Sequence, residues 1–595
     1  MPIHNADIAK SFEETADLLE IDNANPFRVR AYRNAARYIR GMRVPISELV
    51  DQGEDLTALP TIGTDLAGKI SELVETGRCH ALEKIRRQIP PSVKELLTIP
   101  GLGPKRVRAL YQELDIQTLE QLERALRDGR IGLLQGFGEK MESMLLKAIN
   151  TRQTKHARTK LALASQYARL LEEYLLSLPT VGRVTLAGSY RRCRETVGDL
   201  DIVVVAKEAA TVMDHLVSYD DVNNIVSKGS KRATVILRGG LQVDVRVVAA
   251  ESYGAALVYF TGSKAHNIHL RRLAKQKGLK INEYGVLRGK RKIAGKTEAS
   301  VYRAVGLPWI APELREDSGE IEAARQRKLP NLVEHSDLRG DLHVHTKATD
   351  GHASLQKMAD AAQARGLHYL AITDHSQRLA VANGLDSNRL LRQVEKINKL
   401  NKELSGITLL KGIEVDILEN GTLDLPDEVL SQLDLVIGAV HSHFHLSREK
   451  QTQRILRAMD NPNFNILAHP TGRLLDAREP YDVDMQKIVR HAHQRGCFLE
   501  LNAHPERLDL LDSYCRMAKE EGVLVAISSD AHSECDFDNL IYGIGQARRG
   551  WLESKDVLNT RTLKQLKRLL NRGTKNQVGR VGTTEHGRSS TNTAA

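Results

Sequence analysis

Two carboxylates one residue apart, Asp199 and Asp201, head the run Leu200-Asp201-Ile202-Val203-Val204-Val205, and a third, Asp244, lies among valines in Gln242-Val243-Asp244-Val245. Such Val/Ile runs favour strands. Strand side chains alternate faces, so Asp199 and Asp201 point the same way, about 6–7 Å apart at Cα. Carboxylates grouped like this can hold a pair of Mg²⁺ or Mn²⁺ ions about 4 Å apart, the arrangement that serves in-line nucleotidyl transfer. Upstream, Gly188-Ser189-Tyr190-Arg191-Arg192 reads as a Gly-Ser turn opening a basic helix. Its N–H groups would cradle phosphates, and Arg192, with Arg191 as a further candidate, would offset triphosphate charge. Gly198, just before the first carboxylate, belongs to the same nucleotide-binding set. Alone, an Asp-x-Asp triplet is better explained by ordinary strand-end acids, because such triplets arise by chance. The turn, the basic helix and Asp244 together point to a site.

These residues resemble, in order and spacing, the palm signature of family X DNA polymerases, the group that includes DNA polymerase beta. Tyr259-Phe260-Thr261-Gly262-Ser263, then Asn267 and Arg271, then Ile281-Asn282-Glu283-Tyr284 extend the likeness across residues 1–310. The resemblance implies that Tyr259, Phe260 and Gly262 lie under the sugar and base of an incoming deoxynucleoside triphosphate. It places Asn267 at the base and Arg271 on the template side. Lys264 departs from the polymerase-beta branch, which carries an acid there.

The second half of the chain offers a different chemistry. Histidines and acids recur after short apolar runs: Asp341-Leu342-His343-Val344-His345, Thr373-Asp374-His375, Gly412-Ile413-Glu414, Ala439-Val440-His441, Ala468-His469-Pro470 and Ser529-Asp530-Ala531-His532. Helical stretches such as 354–366, 387–404 and 485–495 separate them. This alternation predicts a (β/α) barrel with ligands at the C-terminal strand ends. His343 and His345 share one face of their strand, as a metal grip needs. A lone histidine is more often a core or surface residue; repetition at strand ends argues otherwise.

The set resembles a polymerase-and-histidinol-phosphatase (PHP) domain, whose nine ligand positions are filled by His343, His345, Asp350, His375, Glu414, His441, His469, Asp530 and His532. Mixed imidazole and carboxylate donors in this number suit Zn²⁺ or Mn²⁺, up to three ions. The implied chemistry is phosphoester hydrolysis at DNA 3′ ends. Asp374 is a candidate to orient a ligand, His443 an outer residue, and Arg473 and Arg507 candidates for a DNA phosphate. Glu500-Leu501-Asn502 resembles a segment of PHP domains attached to these polymerases.

The N-terminal region reads as short helices joined by Gly-containing turns: Leu59-Pro60-Thr61-Ile62-Gly63, Ile99-Pro100-Gly101-Leu102-Gly103 and Leu134-Gln135-Gly136-Phe137-Gly138. They look like helix-hairpin-helix units, whose turn amides grip DNA phosphates without reading sequence. Gly63, Gly101, Gly103, Lys105, Gly136 and Gly138 are the expected contacts. Thr61 stands where the other two turns have their first glycine. By resemblance, Lys69 aligns with the Schiff-base lysine of an abasic-site lyase, and Arg28, Tyr32 and Arg33 take the phosphate side. A lyase would need Lys69 to have a depressed pKa. Asp65 replaces a base found in some relatives.

The net charge of +11 lies wholly in residues 1–335, with 52 Lys+Arg against 41 Asp+Glu; the remainder has 34 of each. A basic first half fits a phosphate-backbone partner. Aromatics are only 4% of the chain, so base stacking is not expected to dominate binding. Five scattered cysteines without a Cys-x-x-Cys pair argue against a disulfide framework and for a reducing, cytoplasmic setting. No apolar run is long enough to span a membrane, and the N-terminus lacks a signal-peptide pattern.

The expected organisation is multidomain. It runs from an all-α helix-hairpin-helix region (1–85 and 86–155) to an α+β nucleotidyltransferase palm (156–250) and a thumb-like nucleotide-selection domain (251–315). A charged linker (316–337), a PHP-type (β/α) barrel (338–572) and a disordered tail (573–595) follow. The expected protein is a monomeric DNA polymerase that fills short gaps with 5′-phosphate ends in base excision repair, with a PHP 3′–5′ exonuclease or 3′-phosphoesterase. Two other classes compete: a DNA-end-binding scaffold with weak catalysis and a template-independent nucleotidyltransferase. The intact carboxylates and ligand set count against the first, and the hairpins and Tyr259–Ser263 against the second.

Overall fold

The computed structural model describes residues 5–42, 46–59, 61–97, 99, 102–132, 134, 137–138, 141–142, 144–145 and 158–571. The chain divides into two compact units, Met1–Ala157 and Arg158–Ala595.

In the first unit, helices Asn5–Ile21, Pro26–Gly41, Thr64–Thr76, His80–Gln88, Pro104–Leu114 and Leu119–Arg127 turn amphipathic faces inward. Local signals fix their starts. Asn25 caps Phe27 N with Pro26 in the first turn, and Thr118 and Gln121 form a reciprocal capping box. The stretches 1–85 and 86–155, read as separate domains, share one apolar core that includes Phe12, Tyr32, Ile70, Val107 and Leu122. Glu14 ties them further, accepting from Arg86 (2.9 Å) and Lys94 (2.7 Å). Each stretch alone is too small to bury enough apolar surface, and pooling it relieves that limit.

The second unit begins with a five-stranded sheet in the order Val181–Leu186, Asp199–Ala206, Gln242–Val248, Arg232–Leu237, Val222–Lys228. Only the Asp199–Ala206 and Gln242–Val248 pair is parallel, with Asp201 opposite Asp244 and Asp199 opposite Gln242. Alternation along these strands sends valines and isoleucines into the core and the carboxylates to the other face. A helical subdomain follows, with helices Tyr253–Thr261, Lys264–Gln276 and Glu298–Ala304 and a small antiparallel sheet.

Of residues 316–337, read as a linker, the first part is folded onto this subdomain, while Asn331 and Leu332 pair with Glu553 and Val333 enters the barrel core. Helix Glu320–Arg325 buries Ile321 and Ala324 in the subdomain's core. Glu320, itself fully buried, pairs with His266 (2.6 Å) and accepts from the amides of Asp317 and Ser318. A segment anchored through buried polar pairs leaves little apolar periodicity to read.

The C-terminal barrel has seven parallel strands ordered as in the chain, from Gly340–Val344 to Val525–Ser528. The first and last strands are joined by a bridge between Val344 and Ala531 and otherwise by side chains. The Asn559 amide donates to Gly340 O and Ile527 O (2.7 Å each) and accepts from Ile527 N. Asp341 accepts from Ser529 N and Oγ. Leu342, Ala371, Leu410, Ile437 and Ala526 belong to one buried cluster of strand residues.

Candidate active sites

The palm carboxylates face an open cleft of ≈ 820 Å³ whose lining includes Gly188, Ser189, Arg192, Gly198, Asp199, Asp201, Tyr259, Phe260, Gly262, Asn267 and Arg271. Asp244 joins Asp201, Tyr259 and Phe260 in an adjoining hollow. Gly188 is required where it stands: its φ is +59°, and a Cβ would come within 2.3 Å of Asp201 Oδ2. Burial, with Asp199 and Asp244 adding like charge, pushes the Asp201 carboxyl up to about 7; burial and Asp244 raise Asp199 as well. Carboxylates gathered in this way are hard oxygen donors of the kind a divalent cation takes, although among the described residues theirs do not reach the common spacing that the barrel groups meet. Asp244 is meanwhile held by Thr234 Oγ1 (2.5 Å) and Gln242 Nε2 (2.7 Å).

Both arginines of the Gly-Ser helix are engaged. Arg191 makes a two-armed pair with Glu298 (2.8 and 2.9 Å) and donates to Thr261 Oγ1. Arg192 donates to Glu316 (3.0 Å) and to the Thr261 carbonyl. Glu298 also accepts from Arg315 and Trp309. Burial opposes its ionisation, but Arg191 and Arg315 hold its carboxyl at about 2. Asn267 Nδ2 donates to Tyr259 O (2.8 Å), and Arg271 Nε to Asn267 O (3.2 Å), which sets both residues on one helix face beside the aromatic pair. Arg158 and Arg194, which no sequence motif marks, also line the cleft.

In the barrel, all nine expected ligands converge. Glu414, 1% exposed, lies at the centre. His469 Nε2 is 3.0 Å from its carboxylate, His441 Nε2 3.3 Å, His375 Nδ1 2.8 Å and His343 Nε2 3.4 Å. Asp530 lies 3.1 Å from His345 Nε2, and Asp350 bridges His375 (3.3 Å) and His532 (3.5 Å). Three overlapping groups have donor atoms close enough for a common ion: His345, Asp350, His375 and His532; His343, His345 and Asp530; His375, Glu414 and His441. Among the described residues, these are the groups that meet that spacing. His343 Nε2, both ring nitrogens of His345 and His375 Nδ1 are buried without a hydrogen-bond partner. Each of these nitrogens also lies 2.8–3.7 Å from a carboxylate oxygen of Glu414, Asp350 or Asp530, and imidazoles left in this way among carboxylates fit a metal centre. Burial and His375 push His345 down to about 3, keeping it neutral. Burial opposes ionisation of Glu414, yet His375, His343 and His441 hold its carboxyl well below the usual range.

A further layer orients these ligands. His343 Nδ1 meets Glu500 (2.6 Å), His441 Nδ1 meets Asp416 (2.6 Å), and Asn502 Nδ2 donates to Asp530 (3.0 Å). Asp374 accepts from Thr346 N and Oγ1 and from Thr349 Oγ1, fastening the loop that carries Asp350. Asp416 escaped notice in the sequence, although its place two residues after Glu414 on one strand was a signal. Arg507 Nε lies 3.7 Å from Asp530. Arg473 is spent on Glu195 (2.8 Å) and the Leu508 carbonyl, and His443 turns out to Glu419.

In the first unit, Gly63 and Gly103 precede helices Thr64–Thr76 and Pro104–Leu114 with nothing within 4 Å of a would-be Cβ, and Gly138 is equally open. Lys105 and Arg28 are exposed. Gly101 and Gly136 lie outside the described residues. Thr61 adopts φ +71°, the left-handed backbone that favours glycine. Arg33 is bound to Asp17 and Glu20. Lys69 pairs with Asp65 beside the Tyr32 ring; burial would lower its pKa, but that pairing raises it instead.

Comparison with known proteins agrees with this layout. The chain is 37% identical to the DNA polymerase/3′-5′ exonuclease PolX of Bacillus subtilis (strain 168) over 575 residues, 96% of this chain and 100% of that one. The chain belongs to the family X DNA polymerases that carry a PHP domain. Its family segments are a helix-hairpin-helix domain (3–79), a SAM-like helix-hairpin-helix tandem (93–151), the DNA polymerase beta thumb (256–316) and a PHP domain (341–504). The barrel half has relatives of its own. A probable phosphatase of Acetivibrio thermocellus is 32% identical over 202 residues, 32% of this chain and 78% of that protein. Another, of Thermoanaerobacter sp. (strain X514), is 31% identical over 235 residues, 37% and 89% respectively. The sheet Val181–Val248 lies in the chain directly ahead of the thumb segment.

Proposed function

We propose that this protein is a DNA-directed polymerase that fills short gaps, and that its barrel hydrolyses phosphoesters at DNA 3′ ends. What carries the first part is the register of Asp201 against Asp244 on adjacent parallel strands, with Asp199 beside them, in a cleft shared with Ser189 and Tyr259. Gly188 and Ser189 would receive the triphosphate, Tyr259 and Phe260 the sugar and base, Asn267 the base edge and Arg271 the template side. Arg192 would exchange Glu316 for phosphate. Divalent cations at both sites, Mg²⁺ or Mn²⁺ in the palm and up to three Mn²⁺ or Zn²⁺ in the barrel, would supply charge neutralisation and an activated water when bound.

Glu414 and Asp530 are held ionised and His345 neutral. Against the opposing effect of burial, the cluster's carboxylates raise His375 to about 10 and raise His343, His441 and His532 as well, so bound ions would have to displace those protons. Arg507, 3.7 Å from Asp530, would be the residue to meet a substrate phosphate. The helix-hairpin-helix turns would hold gapped or primer-template DNA by its phosphates, with Arg28 near a 5′ phosphate. The domain limits are those given above, except that the segment 316–337 is divided, its first part packing with the thumb and Asn331–Val333 with the barrel. No helix among the described residues is long and apolar enough to cross a membrane. We read the protein as a cytoplasmic monomer, with Lys69 as the residue on which any abasic-site lyase would depend.

A labelled primer at a one-nucleotide gap with a 5′ phosphate tests both halves. In Mn²⁺, extension with nucleotides and shortening without them are expected. Extension that survives Asp199→Ala would overturn the polymerase assignment. Shortening that survives His343→Ala with His345→Ala would remove hydrolysis from the barrel.

A further inference from the structure

Between the barrel's outer helices Leu355–Ala364 and Ser387–Leu400 runs an open groove of ≈ 740 Å³ that belongs to neither cluster of carboxylates and imidazoles. Lys347, Arg389, Arg392 and Lys396 line it, and no Asp or Glu does. The spacing 389, 392, 396 keeps three cations on one helix face over about 10 Å. Solvated helix faces usually interleave acids with bases, as Arg516 with Glu520 does elsewhere on this barrel. Among the described residues, Lys347, Arg392 and Lys396 have no ion-pair partner. Arg389 donates to the carbonyls of Asn383, Gly384 and Ala348 (2.9 Å each), so its charge also stays uncompensated.

The groove is wired to the metal-ligand cluster. Gln393 Nε2 on its wall donates to Asp374 Oδ2 (2.5 Å), the carboxylate that also receives Thr346 N and Oγ1 (2.7 Å each). Thr346 and Lys347 directly follow the ligand His345, and Ala348, held by Arg389, lies two residues before Asp350. Asp350 is the most open ligand of the cluster, with a third of its side chain exposed. One end of the groove therefore lies at the loop that forms the rim of the site.

We propose that this groove holds the phosphodiester backbone of the single DNA strand whose 3′ end occupies the barrel centre, an inference that rests on the 3′-end hydrolysis proposed above. Its cationic face spans about three nucleotides at 3.4 Å each in a stacked strand. With no aromatic residue in its lining, it grips charge rather than bases and is indifferent to sequence. It gives the barrel a preference for a polymer over a small phosphate ester.

The full-length protein carrying Lys347→Gln, Arg392→Gln and Lys396→Gln tests this. Two substrates are compared in Mn²⁺ over about 50 to 200 mM salt: a single-stranded oligonucleotide, and the p-nitrophenyl ester of thymidine 5′-monophosphate, too short to reach the groove. The oligonucleotide KM should rise about tenfold at low salt, and its log–log salt slope should become shallower by about 2, from three contacts at ~0.7 each. The small ester should turn over as before. The charge-keeping variant Lys347→Arg, Arg392→Lys, Lys396→Arg should retain the wild-type oligonucleotide KM. An unchanged KM and salt slope while the wild type trims normally would overturn the groove proposal, as would equal losses on both substrates. A wild type that trims nothing would instead overturn the hydrolytic reading beneath it.

Discussion

His343 presents Nδ1 to Glu500 at 2.6 Å, which leaves Nε2 to face Glu414 and Asp530. The other oxygen of Glu500 accepts from His469 N at 2.7 Å, so one buried carboxylate sets two ligands. Glu500→Gln can keep a contact but not the charge that raises the imidazole's basicity. Metal affinity in the barrel should fall about 10- to 100-fold, read by Mn²⁺ titration calorimetry, while primer extension is unchanged. Wild-type affinity in the variant would mean that Glu500 only packs.

The raised pKa of Asp201 gives the metal-free protein a distinctive pH response. A carboxyl at about 7 in the fold and about 4 when unfolded takes up a proton on folding between those values. Its contribution to stability is therefore full below about pH 4 and is lost as pH rises through about 7. Mg²⁺ competes with that proton, so the rise in Tm on adding Mg²⁺ should be larger at pH 8 than at pH 6. In Asp201→Asn that difference should shrink, and thermal melts of the two proteins with and without Mg²⁺ would show it.

Glu316 accepts from Arg192 of the palm (3.0 Å) and from Arg549 of the barrel (2.9 Å), whose other arm holds Asp512. On the proposed reading, a nucleoside triphosphate would compete with Glu316 for Arg192. Glu316→Gln should lower the nucleotide KM severalfold. It should also cost about 1–3 kcal/mol of stability, because Arg549 is left buried with less countercharge. Single-nucleotide incorporation kinetics and denaturant melts separate the two effects; a raised KM would mean that Glu316 positions Arg192 rather than competing for it.

Lys69 is held as an ammonium by Asp65. Borohydride trapping of an abasic site should be weak at neutral pH, grow as pH rises, and be enhanced by Asp65→Asn. Cross-linking that persists in Lys69→Ala would place any lyase nucleophile elsewhere.

The chemistry-bearing residues were legible because strands encode geometry simply. A period of two put Asp199 with Asp201 and His343 with His345, and strand ends after apolar runs marked the barrel ligands. Relations between distant residues were not legible. Arg192 and Glu316 are 124 residues apart, and nothing local announces that they meet. Arg473, read as a phosphate contact, is taken by Glu195 across 278 residues. Segment 316–337 misled for a related reason: Glu320 and His266 are buried as a polar pair, and hydropathy counts such residues as surface.

Phe12 and Tyr32 meet edge-to-face at 5.3 Å inside a core that also takes in Val107 and Leu122. The open amide edges at Gly63 and Gly103 are thus bolted to one block rather than strung on a cord. If each edge seats a phosphate, the interval between the seats is set by side-chain packing and cannot stretch to suit the DNA. The unit then works as a caliper. Duplex ends whose phosphates fall at the wrong interval, through an extra or missing nucleotide, would engage one jaw and not the other, and gap length would be gauged without a base being touched.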